Sequence, residues 1–315
     1  MKCLVTGGSG FIGSNVALEL AKDENTEVVI FDKVVPDSDF PWPKNCSYID
    51  GDIRYFEEVL AATQGCDEVY DIAGELGTSE LNRTVSRASD TNIRGAANVL
   101  EACRVNNVAR IFHPTKPNDW LNTYTITKFA SEQLCLQYQS QYDMSICCLK
   151  WFNAYGPRQH AYPVRKLLPT LALQAANGRK LGVFGDGEQT VDLIHVRDIA
   201  RIAVWATRNC GKMGKVIDVG SGTAMTVNAV AEKVIEYAGA GEIEHLPMRL
   251  GEPDRSDIRA DVIDLKQLWD GLDSMTDPLG EDGLKETVEY YKNVPSCVAE
   301  TAFRYWDSPE YTRSS

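Results

Sequence analysis

The 315-residue sequence predicts an α/β protein: a doubly wound parallel sheet joined to a smaller, discontinuous α/β unit. Three observations predict it. Apolar runs alternate with helical patterns through the first half, which places helices on both faces of a parallel sheet. The first apolar run, 3–5, breaks into a glycine-rich loop, Thr6-Gly7-Gly8-Ser9-Gly10-Phe11-Ile12-Gly13, that leads straight into a helical pattern. After Tyr155-Gly156-Pro157-Arg158 the alternation gives way to mixed helical and short strand pieces. The expected division is 1–156 plus 190–222 for the sheet domain and 157–189 plus 223–295 for the smaller one. The polar and aromatic residues 296–315 read as a loosely ordered C-terminal tail.

Each element follows from its own residues. The helix after the glycine loop runs from Phe11 through Leu18, Leu20 and Ala21 on a helical apolar period. A second apolar run, 27–31, ends in Asp32, and a third, 46–50, ends in Gly51-Asp52-Ile53. A helix is expected near 55–63, a strand over 67–72, a loop over 73–78 and one long helix over about 83–106. A strand over 109–113 precedes a helix that starts near Asn122-Thr123, where Asn122 suits the N-cap, and continues to about 141. Another strand covers 144–152. The runs 192–196 and 215–219 read as returns to the sheet, on either side of loops such as Gly185-Asp186-Gly187.

The glycine loop carries the first chemistry. Gly7 allows a tight turn, Gly10 lets backbone N–H groups approach a pyrophosphate, and Gly13 lets helix and strand pack closely. Phe11 and Ile12 open the helix whose positive end faces the phosphates. A plain Gly-rich turn needs no acidic residue at a set distance. Here Asp32 stands nineteen positions after Gly13, where a carboxylate accepts hydrogen bonds from the adenosine ribose. With Lys33 rather than Arg beside it, NAD is expected over NADP. Asp52 and Ile53 would clamp the adenine edge, and Ala73 would line the same groove. The sheet is therefore of the Rossmann type.

Bulk properties narrow the partners. A net charge of −13 argues against nucleic acid and anionic membrane. No apolar run reaches transmembrane length. Nine cysteines without a CxxC pair read as reduced thiols in a cytoplasmic protein, and four scattered histidines argue against a metal site.

Tyr124 and Lys128 fall at i and i+4 on one helix face, where an ammonium beside a phenol is expected to lower its pKa. A surface helix pair is the plain alternative. The whole set is more specific: the glycine loop, Gly51-Asp52-Ile53, Asn92 within Asn92-Ile93-Arg94-Gly95, Tyr124 with Lys128, and Tyr155-Gly156-Pro157-Arg158. In this set, and in Gly185-Asp186-Gly187-Glu188-Gln189 and Gly220-Ser221-Gly222, the chain resembles the extended short-chain dehydrogenase/reductase family, in its nucleotide-sugar epimerase/dehydratase branch.

The resemblance implies further roles. Thr115 would be the third catalytic group with Tyr124 and Lys128, although its loop to Tyr124 is short and Thr123 or Thr125 could substitute. Asn92 would join the cofactor site. Asn153 and Arg249 would meet the substrate phosphates, with Leu168, Val183 and Phe184 around a nucleobase. Glu75 and Thr78 would face the sugar. Relatives carry an Arg where this chain has Val191. The implied function is C4 epimerisation of a UDP-hexose by a homodimer. A 4,6-dehydratase or uronate decarboxylase is the alternative. Dehydratases carry Asp-Glu directly after the catalytic Thr, and here Lys116-Pro117 stand there. A cofactor-binding regulatory protein would have less need of the Tyr124–Lys128 pair.

Overall fold

The computed structural model describes residues 1–37, 40–212 and 214–308. In chain order the elements are β1 (Lys2–Thr6), α1 (Phe11–Ala21), β2 (Glu27–Asp32), β3 (Cys46–Asp50), α2 (Phe56–Ala62), β4 (Glu68–Asp71), α3 (Val85–Ser89), α4 (Ala96–Val105), β5 (Arg110–Thr115), α5 (Thr123–Tyr142) and β6 (Ile146–Trp151). There follow β7 (Asn153–Tyr155), α6 (Leu167–Ala176), β8 (Leu181–Phe184), β9 (Thr190–Val191), β10 (Leu193–His195), α7 (Val196–Asn209), β11 (Ile217–Val219), β12 (Met225–Thr226), α8 (Val227–Ala238), β13 (Ile243–Leu246), α9 (Ile263–Leu268), α10 (Glu286–Lys292) and α11 (Ser296–Trp306).

Seven parallel strands form the central sheet in the order β11-β6-β5-β4-β1-β2-β3. The Val28–Phe31 stretch of β2 is buried at every position, as expected of a strand covered on both faces. Residues of α1 and α7 pack on one face against Val5, Ile30 and Leu149. Residues of α2, α4 and α5 pack on the other against Leu4, Val29 and Ile111. The chain winds outward through β1, β2 and β3, then returns to place β4 on the free side of β1. That reversal opens a crevice at the carboxyl ends of β1 and β4, the usual ligand position in such sheets. A separate apolar core gathers α6, β8, α8, α10 and α11 around Leu171, Val183, Val230, Val288 and Trp306. Full burial of one such side chain contributes about 1.5–3 kcal/mol.

Three expectations need correction. Residues 193–195 do not rejoin the central sheet. The edge of β6 at Leu149–Trp151 is taken by β11, so β10 pairs instead with β7, beyond Phe152. The single helix over 83–106 is interrupted: a tight turn at Glu80–Arg83 and α3 lead into a wide π turn, Asp90–Gly95, before α4. Residues 296–306 are not a loose tail. They form α11, and Ala299, Ala302 and Trp306 are buried in the second core. Residues 309–315 of the expected tail lie outside the described residues.

Candidate active site

A cleft of about 810 Å³ lies over the carboxyl ends of the strands and reaches the second core. At one end the glycine loop forms its floor. Gly7 adopts φ +67°, and its N–H donates to the Phe31 carbonyl at 2.9 Å. A Cβ on Gly13 would run into the Gly7 carbonyl and the Gly8 Cα, so helix and loop touch as only glycine permits. No side chain caps the first turn of α1, which leaves N–H groups for an anion. Asp32 closes this end. Its carboxylate accepts from the N–H groups of Ser9 (3.1 Å) and Val34 (3.0 Å), and burial raises its pKa. Asp52 is held in a bidentate pair by Arg54, beside buried Ile53. Lys33 reaches across to Glu75 at 3.5 Å, and Arg87 holds the other Glu75 oxygen at 3.3 Å. Glu75 is therefore an ion-paired strut of the cleft wall, with Ala73 and Thr78 on the same loop.

Asn92 does not line the cleft. Its Oδ1 accepts from the Glu75 N–H at 2.8 Å, and its Nδ2 donates to the Glu75 carbonyl and to Thr127 Oγ1, each at 3.0 Å. The π turn thus carries a side chain that fixes the cleft loop from behind.

In the centre stand Thr115, Tyr124 and Lys128. Thr115 ends β5, and its hydroxyl donates to Glu132 Oε2 at 2.6 Å. With that proton committed, the hydroxyl offers lone pairs to the cleft. Lys128 lies 3.4 Å from His113 Nε2, and His113 Nδ1 lies 2.9 Å from Asp71, which also accepts from Thr6 Oγ1. Burial lowers the pKa of Lys128 and of His113. The expected effect of Lys128 on its neighbour is not met: burial pushes the Tyr124 phenol up to about 12. The two side chains share a helix face, but the Lys128 amine turns toward His113. Thr123 bonds to Asn82 and Thr125 accepts from Lys116, so neither stands in for Thr115 in the cleft wall.

The far end is cationic. Asn153, Leu168, Val183, Phe184 and Arg249 line the cleft. Arg249 pairs with Glu252, and its guanidinium lies 5.0 Å from the Phe184 ring centroid. Sequence reasoning missed Arg165, Lys166 and Lys116 beside it. Arg165 lies 5.0 Å from Phe184 and 5.2 Å from Trp306. A signal existed: Arg165 and Lys166 precede α6, whose first turn has no acid, against the sign of its dipole. Val191 belongs to β9 and to the apolar wall.

The lining also leaves buried polar atoms without partners among the described residues: Thr91 Oγ1, Trp151 Nε1, Arg165 Nε, Thr170 Oγ1, Gln189 Oε1 and Arg249 Nε. Native interiors leave few such groups, so their concentration in one cleft fits a large polar ligand. The glycine cradle, the open helix end and Asp32 together fit a dinucleotide.

Residues 3–220 match the sequence profile of the NAD-dependent epimerase/dehydratase family. The low-salt glycan biosynthesis protein Agl12 of Haloferax volcanii is 30% identical over 92% of this chain and 98% of its own length. A dTDP-glucose 4,6-dehydratase of Streptomyces niveus is 28% identical, with 93% of each chain covered. Among solved structures, the UDP-glucuronic acid 4-epimerase of Bacillus cereus, crystallised with UDP-glucuronic acid and NAD, superposes with a TM-score of 0.83. It is 26% identical, with 93% of this chain and 99% of that one covered.

Proposed function

Because the chain belongs to the NAD-dependent epimerase/dehydratase family, we propose that it is a nucleotide-sugar epimerase acting at C4 of a UDP-hexose. When bound, NAD supplies a hydride acceptor that takes hydrogen from the sugar carbon and gives it back. Gly7, Gly10, Phe11, Ile12 and Gly13 would hold its pyrophosphate, and Asp32 its adenosine ribose. In this reading residues 1–156 with 190–222 hold the cofactor, and 157–189 with 223–295, extended by α11, hold the nucleotide-sugar.

The chain's own groups do the rest. Thr115, whose own proton goes to Glu132, accepts from a neighbouring sugar hydroxyl and so orients the ring. Tyr124 takes the hydroxyl proton and later returns it. Lys128, tied to His113, stands one turn along the same helix and in its protonated form favours the phenolate as it forms. Arg165 and Arg249, facing one Phe184 ring, would grip the pyrophosphate. Arg165 thereby takes the place of the cation missing at Val191.

One observation carries epimerisation over elimination. Thr115, Tyr124 and Lys128 line one cleft, while Lys116-Pro117 occupy the positions next to Thr115 where elimination calls for a pair of acids. Glu132, the carboxylate bonded to Thr115, does not line the cleft. The reaction run on a UDP-hexose in D₂O tests this. Epimerisation leaves product mass unchanged and ring positions free of deuterium. Deuterium at C5 with loss of water would identify a dehydratase instead. The exposed Val85, Ile126 and Phe129 on α3 and α5 support a homodimer through those helices, which light scattering would weigh.

A further inference from the structure

The sugar end of the cleft holds more positive charge than a nucleotide diphosphate can match. Lys116, Arg165, Lys166 and Arg249 all line it, and the carboxylate that lines it with them is Glu252, already paired to Arg249. Glu80 and Asp119 act on these cations from outside the lining, and among the described residues no carboxylate stands within ion-pair distance of Lys116 or Lys166. A diphosphate bridge carries two negative charges and is suited to the two forked guanidinium groups around Phe184. That leaves an uncompensated ammonium at the other side of the cluster.

Lys116 stands beside the reacting groups. It directly follows Thr115, its Nζ lies 5.1 Å from the Tyr124 ring centroid and 5.6 Å from that of Trp120, and it donates to Thr125 Oγ1 at 2.6 Å. Those contacts fix the amine beside Tyr124 rather than beside Phe184. Burial and the charge of Lys166 push its pKa down to about 8 against the opposing pull of Glu252 and Asp119, and neither carboxylate comes within ion-pair distance to pair it. A neutral sugar hydroxyl would leave that requirement unmet.

Resting on the nucleotide-sugar reading above, we propose that the substrate hexose carries a carboxylate, as in a nucleotide-linked uronic acid, and that Lys116 is the residue that selects it. The ammonium would pair with the carboxylate while Thr115 and Tyr124 engage the adjacent ring hydroxyls. Specificity would come from both partners: the carboxylate finds its charge, and a neutral hexose leaves the half-buried Lys116 ammonium with its Thr125 bond but no ion-pair partner.

Calorimetry on the NAD-loaded protein tests this with UDP, UDP-glucose and UDP-glucuronate. UDP-glucuronate is expected to bind roughly tenfold or more tightly than UDP-glucose. Lys116→Met should collapse that ratio toward unity, and Lys116→Arg should restore much of it, with circular dichroism and retained NAD confirming the fold. Equal affinities in the parent protein, or a ratio that Lys116→Met leaves unchanged, would overturn the assignment of Lys116. Failure of UDP and both UDP-sugars to bind would instead overturn the nucleotide-sugar reading, and this inference with it.

Discussion

Tyr124 and Lys128 show how far a spacing can be read. Their i, i+4 relation predicts a shared helix face, and both do line the cleft. The direction of each side-chain tip depends on strands distant in sequence: Asp71 on β4 and His113 on β5 draw the Lys128 amine toward themselves. Burial then drives the two groups toward their uncharged forms, the phenol up to about 12 and the amine down. The phenolate therefore forms only against a positive charge held beside it in the loaded cleft. Tyr124→Phe removes the oxygen that exchanges the proton and keeps the ring that Lys116 faces. It should lower turnover by about 10²–10⁴ while NAD remains bound. Turnover within a few-fold of the parent would move the proton transfer to another group, Glu75 being the first to examine. Arg165 and Lys166 were legible only as a breach of a local rule, two cations at a helix start, and needed the fold to bring them opposite Arg249.

At the scale of elements, most of the sheet was legible because its strands are short apolar runs separated by helices of a clear period. The exceptions were decided by partners. A run such as Leu193–His195 has the composition of a sheet strand, but the edge it would join is already occupied by β11. The π turn at Asp90–Gly95 is invisible to periodicity, and it carries Asn92, whose amide bonds a loop seventeen residues earlier. The start of α5 was legible in full: Asn122 accepts from the Thr125 N–H at 2.9 Å as an N-cap. It does a second thing that no local rule predicts, donating to the Gly251 carbonyl at 3.1 Å and so tying the helix start to the loop that bears Arg249. Asn122→Ala should therefore cost about 1 kcal/mol from the cap alone. It should also weaken nucleotide-sugar binding through the loosened loop. Urea unfolding and a UDP titration measure the two effects, and an unchanged midpoint would mean the cap contributes nothing.

For the molecule as a whole, two buried histidines link stability to acidity. Burial is the main cause that lowers His113 and, to about 3, His195. Unfolded imidazoles take up a proton near pH 6.5, and burial makes these two take it up at lower pH in the fold. The unfolded state thus binds more protons in acid, and stability drains away as pH falls below about 6.5 and on toward the folded values. Melting temperatures between pH 7 and 5 should fall steadily, and a flat profile would contradict this account. The second core was the least legible part because its members come from many separated segments, ending with a helix that read as tail. That last segment sets a schedule for synthesis. The glycine loop and β1 emerge first, pair with early strands, and are covered once α7 ends at residue 209. Arg165 gains its Trp306 neighbour only when α11 arrives, and the Trp306 Nε1 bond to the Ala161 carbonyl closes across 145 residues. On a ribosome the cofactor half is therefore expected to mature well before the half that grips the phosphates, while the apolar face of α6 stays uncovered in between. Nascent chains arrested at successive lengths and probed with protease would time the two events, and simultaneous protection of both halves would show that they fold as one unit.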